Sequence, residues 1–358
     1  MSHPPIPPAS GLRVRLMQPA DLPAADRILR LSFGTELGLA DPMTFRGDSG
    51  IVVNRYQMYP EASFVAEHEG QVAGFGIASH WGSVGVVGPI CVLPTHWGNG
   101  IARALVTRVV GAIDAWGCGA AGLFTNPLSP RHMRLYQDFG FWPRGLVVVL
   151  ARSAQSIEVP RAPWHWLGGG DRGSLLDEVR ALSAQAFPGL DLSREIAGVL
   201  DHHHGDLVTC HEDGQLTGLA VCHFGAGSEG GSRNLFIKYA QVLAAPTLGD
   251  MSRSIPTLGN PTLESSVLGS ATADRIRPYP ATDQPALERL QDLVRACAER
   301  ARAVHAERVV LGIDTSRHPA YRALIEMGFR SEFQGVRMHR PWIDLHDGPS
   351  QWVLDDWR

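Results

Sequence analysis

The sequence predicts an α/β protein built from two tandem modules, and three observations lead to this fold class. An apolar strand enters a glycine-containing turn and then a patterned helix over residues 90–117. A hairpin pattern at residues 63–82 recurs about 144 residues later, and a strand, helix and Gly-Phe ending also occurs twice. The chain of 358 residues is long for one domain and sufficient for two sizeable cores.

The first half contains, in order, a strand, a helix, an irregular segment, a hairpin and a third strand. Alternation predicts the strands, and Pro19 with Asp21 predicts the start of the first helix. A turn at Glu69-Gly70 joins the two hairpin strands. The irregular segment lacks clean periodicity, so we expect it to contain one or two short helices. These elements occupy residues 13–18, 19–31, 34–60, 63–79 and 83–92.

The glycine turn after the third strand has the features of an anion-binding site. The first N–H groups of a helix have no partner in their own helix, and the helix dipole adds positive potential there. Gly98 and Gly100 remove side chains where the backbone would contact a ligand, and Ala102 keeps the next turn small. The dinucleotide-binding and Walker patterns do not fit these residues. A purely structural turn is the alternative, since glycine also serves for backbone freedom alone.

A second motif follows at residues 129–141, after a strand over 121–125. A helix is predicted from Pro130 to Phe139, and Gly140-Phe141 ends it. Tyr136 lies on this helix, either facing the reaction site or packed as an ordinary core residue.

The two motifs together resemble the GNAT superfamily of acyl-CoA-dependent N-acyltransferases. In that superfamily a strand ending in V-x-P leads to [QR]-x-x-G-x-[GA] and a helix, and N-x-x-A-x-x-x-Y-x-x-x-G-F follows. The residues that match are Val92, Pro94, Gly100, Ala102, Tyr136, Gly140 and Phe141. Three positions depart from the pattern, with Trp97 in place of Arg or Gln, Ser129 in place of Asn, and His132 in place of Ala.

The resemblance implies a mixed, mostly antiparallel twisted sheet flanked by helices in each module, with acetyl-CoA as cosubstrate. A bulge near Gly88 and Pro89 would splay the strands so that pantetheine lies in the gap. The residues expected to bind the cofactor are Ile90, Cys91, Val92, Trp97, Gly98, Asn99, Gly100, Ile101, Ala102, Arg103 and Ser129. The backbone of Ile90, Cys91 and Val92 would meet the pantetheine arm, and the backbone amides of the glycine turn, including that of Trp97, would hold the pyrophosphate.

The same resemblance assigns the chemistry to the first module. An amine attacks the thioester directly, the Val92 amide stabilises the tetrahedral oxyanion, and Tyr136 protonates the departing thiolate. The general base stays open among Glu36, Asp41, His80, His96 and a water chain. The acceptor is an unidentified primary amine of a small molecule or protein. A non-catalytic acyl-CoA-binding sensor or scaffold is the alternative function.

The second half repeats the hairpin and the closing strand and helix, but Leu324 occupies the place of Tyr136. About 45 extra residues replace the glycine turn, so we interpret this half as a degenerate GNAT-like domain. It could shape the acceptor pocket, bury an apolar face or form a dimer contact. The predicted segments are a disordered leader 1–11, the catalytic domain 12–152, a linker 153–163, the degenerate domain 164–343 with an insertion at about 244–284, and a tail 344–358.

Composition excludes several classes of protein. A formal net charge of −4 and the absence of basic runs argue against a nucleic-acid partner. No apolar run approaches a membrane span, and five scattered cysteines are typical of a reduced cytoplasmic protein. The sequence 201–206, DHHHGD, is read as a solvated helix end, and no metal is expected. Trp352 and Trp357 leave a homodimer contact open.

Overall fold

The computed structural model describes residues 11–168, 172–244, 283–341 and 352–355. The first half follows the predicted order of strand, helix, irregular segment, hairpin, third strand and helix. Its strands are β1 Leu12–Leu16, β2 Ser63–His68, β3 Gln71–Trp81, β4 Val84–Val92, β5 Ala120–Thr125 and β6 Trp142–Ser153. Its helices are α1 Leu22–Glu36, α2 Ile51–Met58, α3 Ile101–Ala115 and α4 Pro130–Gln137.

The second half repeats this order, as the internal repeat predicts. Its strands are β7 His165–Trp166, β8 Gly205–Glu212, β9 Gln215–Gly225, β10 Gly231–Val242, β11 Arg308–Asp314, β12 Arg330–Arg340 and β13 Val353–Leu354. Its helices are α5 Gly173–Ala186, α6 Ser193–Asp201, α7 Gln284–Ala303 and α8 His318–Glu326. No helix in the described ranges is long and apolar enough to cross a membrane.

Within the described residues, the strands of both halves form one sheet in which the halves exchange their closing strands. The order is β1-β2-β3-β4-β5-β12-β6-β11-β10-β9-β8-β7, with β13 beside β10. Strand β12 of the second half pairs with β5, and β6 of the first half pairs with β11. The two exchanged strands pair with each other in antiparallel fashion at the centre. Each half therefore needs a strand of the other to complete its sheet.

Strand β4 carries the predicted bulge and then separates from β5. Gly76 lies opposite Ile90 and Ala78 lies opposite Val87, so Gly88 and Pro89 together face one residue of β3. Strands β4 and β5 pair in parallel only over Val84–Val86 and Ala120–Gly122. The bulge prediction is confirmed, and a gap opens between the far ends of these two strands.

Side chains alternate between the two faces of the shared sheet and fill separate cores. On β6, β10 and β11, residues such as Leu150, Leu235 and Leu311 pack with α7 in one core. Their neighbours Val149, Phe236 and Val310 point to the opposite face and form a small cluster of their own. This second face is the one that turns toward the site described below.

Several predicted segments lie partly outside the residues that the structure describes. Most of the leader, most of the insertion and most of the tail lie outside the described residues, and so does Trp357. Trp352 does not offer an exposed anchor, because its side chain is 3% exposed and packs in the core beneath α7. The extents of the two domains stay a prediction, and the structure adds that strand exchange crosses the proposed boundary.

Candidate active site

The glycine turn places a row of backbone N–H groups at the start of α3. Gly100 is the residue before the helix, with φ of 76°, and Gly98 has φ of 88°. A side chain is strongly disfavoured in this left-handed region, so the turn requires glycine at these positions. A Cβ atom added to either residue would meet no atom within 4 Å. The turn therefore leaves open space beside the start of α3, where a ligand such as a pyrophosphate could approach the backbone.

The glycine turn and the first turn of α3 together are called the cradle here, and its other predicted residues differ in their contacts. Ile101 is 1% exposed and fixes the first turn of α3 in the core, whereas Asn99 lies between the two glycines. The Arg103 side chain forms an ion pair with Asp138, and Ala102 precedes it in the first turn of α3. The first helical N–H that donates back to the turn is that of Ala104, to the Gly100 carbonyl at 3.1 Å.

Trp97 connects the glycine turn to the end of β4. Its indole N–H donates to the Val92 carbonyl at 2.8 Å, and its backbone N–H donates to the Pro94 carbonyl at 3.3 Å. The Trp97 amide, expected to serve the pyrophosphate, is thus engaged inside the turn. The side chain that replaces the usual Arg or Gln instead ties the end of β4 to the cradle.

The ladder between β3 and β4 decides which backbone groups of β4 face the gap. Leu93 donates its N–H to the Ala73 carbonyl at 2.9 Å, and hydrogen-bonded pairs alternate along an antiparallel ladder. Cys91, opposite Phe75, therefore directs its backbone groups toward β3. Ile90 and Val92 direct theirs toward the gap. Of the three residues expected along pantetheine, two have the required backbone orientation, and the Cys91 amide points the other way.

Helix α4 brings Tyr136 to this gap. The Tyr136 side chain is 9% exposed, and its ring packs at 6.4 Å from that of Phe141. Burial, together with the neighbouring Cys91 thiol, raises the pKa of Tyr136 above its ordinary value. The phenol therefore holds its proton at neutral pH. Ser129 begins α4, where its hydroxyl accepts the His132 N–H at 3.4 Å, so its observed role is that of a helix cap.

A cavity of about 1070 Å³ lies beside the gap, and both halves of the chain line it. The first half contributes the bulge of β4, Tyr136, and parts of α1 and α2. The second half contributes Glu229, Phe236 and residues of β11 and β12. Its size fits a small-molecule ligand. The expectation that the second half shapes a pocket beside the site agrees with this lining.

Of the candidate bases, Glu36 lines the cavity, at the end of α1. Asp41 instead caps a short turn by accepting the Met43 N–H. His80 packs on Trp116 at 4.9 Å, and His96 contacts the ring of His68 at 5.5 Å. These three residues serve local structure in the described chain.

The sequence reasoning did not include His132 among the candidate bases. Its side chain lines the cavity with Glu36 and Tyr136. Burial lowers the pKa of His132 below its ordinary value, and the Glu36 carboxylate opposes part of that effect. A neutral imidazole at this place can accept a proton. The available signal was the departure from the motif itself, because a histidine stands where the family has a small residue.

A buried polar cluster joins the halves behind the cavity. The ligand-type atoms of Glu195, His223 and Glu229 lie within 4.8 Å of one another. The Arg55 guanidinium lies 2.6 Å from Glu229 and 3.9 Å from Glu195, and Lys238 lies 3.4 Å from Glu229. Both carboxylates thus face cations, which would compete with a metal ion. We interpret the cluster as an ion-pair network between the halves.

Comparisons with known proteins agree with this architecture. Residues 38–141 match the model of the acetyltransferase (GNAT) family. No curated protein matches the chain. A proposed acetyltransferase from Pyrococcus horikoshii has a TM-score of 0.64 at 12% identity, covering 99% of this chain and 98% of that one. A GCN5-related N-acetyltransferase from Sphaerobacter thermophilus has a TM-score of 0.56 at 16% identity, covering 95% and 99%.

A tandem GNAT protein from the clavulanic acid biosynthesis pathway is similar over 92% of this chain and 98% of its own, with a TM-score of 0.53 at 13% identity. Identities this low establish the fold and leave the substrate open. Residues 38–141 therefore form a GNAT acetyltransferase domain, in a chain that has the mixed α/β fold of a tandem GNAT protein.

Proposed function

We propose that the chain is an N-acetyltransferase that transfers the acetyl group of acetyl-CoA directly to a primary amine. The observation that carries the proposal is the opening of β4 away from β5 beyond a bulge that lines the cavity together with Tyr136. The open glycine turn at Gly98 and Gly100 follows β4 in the chain. Acetyl-CoA supplies an activated acyl group, and the residues of this chain bind, orient and exchange protons.

Each proposed residue has a distinct role. The N–H groups at the start of α3 hold the pyrophosphate, and the gap-facing backbone of Ile90 and Val92 aligns the pantetheine arm. The Val92 N–H donates to the oxygen on which charge develops. The Tyr136 hydroxyl, which is protonated at neutral pH, gives its proton to the departing sulfur. His132, close to the Glu36 carboxylate, accepts the proton of the amine.

Calorimetric titration with acetyl-CoA tests the cofactor part of this proposal. We expect one site per chain, because the sequence of the second half lacks a glycine cradle. Two sites would contradict the interpretation of the second half, and no binding would refute the proposed function. Release of free CoA thiol on addition of amines then separates enzyme from sensor. Binding without turnover of any primary amine would favour the acyl-CoA sensor or scaffold.

The pH dependence of turnover tests the role of His132. Since the imidazole must be neutral to accept a proton, kcat/KM should fall as the pH drops through the lowered pKa of His132, below its ordinary value of about 6.5. The substitution His132→Gln should remove this acidic limb and lower kcat by about 100-fold or more. His165→Gln, an exposed histidine on β7, is the matched control. An unchanged acidic limb in His132→Gln would assign the base elsewhere.

A further inference from the structure

The floor of the cavity is an apolar surface supplied largely by the second half and the exchanged strands. Val149 of β6, Phe236 of β10 and Val310 of β11 share one sheet face and line the cavity. Their chain neighbours fill the core on the opposite face, so this patch is not part of that core. Phe333 of β12 packs against the same cluster. An apolar floor inside a cavity beside the reaction site selects ligands by shape and apolar area.

Two aromatic rings define the edge of this floor. The rings of Phe124 and Phe333 lie 5.3 Å apart at an angle of 53°, which is a favourable tilted arrangement. Gly335 makes room for Phe124, because a Cβ there would lie 2.3 Å from the ring. Strand β12 thus both supplies one ring and accommodates the other. An aromatic or branched group of a ligand would meet ring faces and edges here.

The charges that line the cavity are mostly matched within the protein. Glu229 faces Arg55, Glu332 faces Arg308, and Asp48 accepts the Ser232 N–H at 2.9 Å. Arg233 faces Glu307, and Arg46 lies over the ring of Phe45.

Glu36, like Asp48, differs from Glu229 and Glu332 in that its carboxylate accepts a neutral N–H. Its carboxylate accepts a neutral amide N–H, that of Asn126, at 2.9 Å. Its charge acts on His132, and both residues line the cavity together with Tyr136. A ligand amine would meet its complementary charge at Glu36, and an apolar body would meet its complementary surface at the floor.

We propose that the acceptor is a small primary amine with a large apolar body, preferably aromatic, and that Phe333 and Phe236 of the second half select that body. The inference rests on the proposed function and specifies its substrate class. In this arrangement the amine lies between Glu36 and the reaction site, while the body extends over the floor. The second half acts as a specificity domain. A polyamine would place further charges against the apolar floor that Val149, Phe236 and Val310 form, and burying a charge on an apolar surface is costly.

The test measures thiol release with three probes, which are 2-phenylethylamine, ethylamine and spermidine. We expect 2-phenylethylamine to have a kcat/KM at least about tenfold above that of the other two, since burying its ring adds apolar contact. The substitution Phe333→Ala should raise the KM for 2-phenylethylamine about tenfold, with kcat, the KM for ethylamine and the affinity for acetyl-CoA unchanged. Phe333→Leu should restore part of the lost selectivity. Ile325→Ala, an exposed residue of α8, is the control.

The outcomes separate this inference from the proposed function. Equal or higher kcat/KM for ethylamine or spermidine would overturn the inference and leave the acetyltransferase intact. An equal loss for all amines in Phe333→Ala would also overturn it, since a merely structural residue has that effect. If no amine is acetylated, calorimetry of 2-phenylethylamine with the CoA-loaded protein tests the pocket directly. Binding that Phe333→Ala weakens, without turnover, would support the pocket and refute the acetyltransferase.

Discussion

The substitution Gly100→Leu should abolish measurable acetyl-CoA binding. Gly100 has φ of 76°, and its missing Cβ would point into open space at the start of α3. A leucine there would occupy the volume proposed for the pyrophosphate and force its oxygens away from the N–H groups. Hydrogen bonds to charged groups each contribute about 1.5–3 kcal/mol, so losing two of them weakens binding by at least about a hundredfold. Calorimetric titration with acetyl-CoA measures the loss.

The control for Gly100→Leu is Gly117→Leu, at the opposite end of the same helix. Gly117 has φ of 71°, and a Cβ there would also meet nothing within 4 Å. Each leucine must adopt a left-handed backbone conformation, which costs about 1–2 kcal/mol. The unfolding temperature should therefore fall by a similar amount in the two variants. Only Gly100→Leu should lose the cofactor. Equal acetyl-CoA affinity in the two variants would mean that the cradle is a structural turn.

The local features of the site could be predicted because short sequences determine them. The glycine turn, the helix after it and the bulge near Gly88 each depend on a few neighbouring residues with special backbone requirements. The repeat of the hairpin in the second half was equally readable, because matching glycines and histidines recur in register. These elements occur in the structure where the sequence places them.

The exchange of β6 and β12 could not be predicted in this way. Both strands follow a similar helix and Gly-Phe turn, and both contain apolar residues, so either could pair beside β5. The choice depends on contacts between residues far apart in the chain, which no local pattern encodes. The floor of the cavity could not be predicted from the sequence for the same reason. Val149, Phe236 and Phe333 come together only after the strands have exchanged.

The network between the halves shows a similar dependence on the complete fold. Arg55 comes from α2, whereas Glu195, Glu229 and Lys238 come from the second half. All four side chains are buried, and removing one partner of such a group leaves an uncompensated charge. The network fixes α2, and with it one wall of the cavity, against the second half. This contact gives the second half a direct structural influence on the acceptor side of the site.

The substitution Tyr136→Phe should lower kcat by about 100- to 10,000-fold while the affinity for acetyl-CoA stays within about twofold, because general acid catalysis has effects of this size. Phenylalanine keeps the buried ring and its contact with Phe141, so only the proton donor is lost. The release of CoA thiol gives kcat, and calorimetry gives the affinity.

The control for Tyr136→Phe is Tyr321→Phe, which removes a hydroxyl from the equivalent helix of the second half, α8, and should leave kcat unchanged. If release of the acetylated product limits turnover, kcat does not report a change in the chemical step. Single-turnover rates should therefore be compared as well. Equal single-turnover rates would make Tyr136 a packing residue. A large loss confined to the chemical step would identify this hydroxyl as the proton donor to the departing sulfur. It would also assign the reaction to the first half.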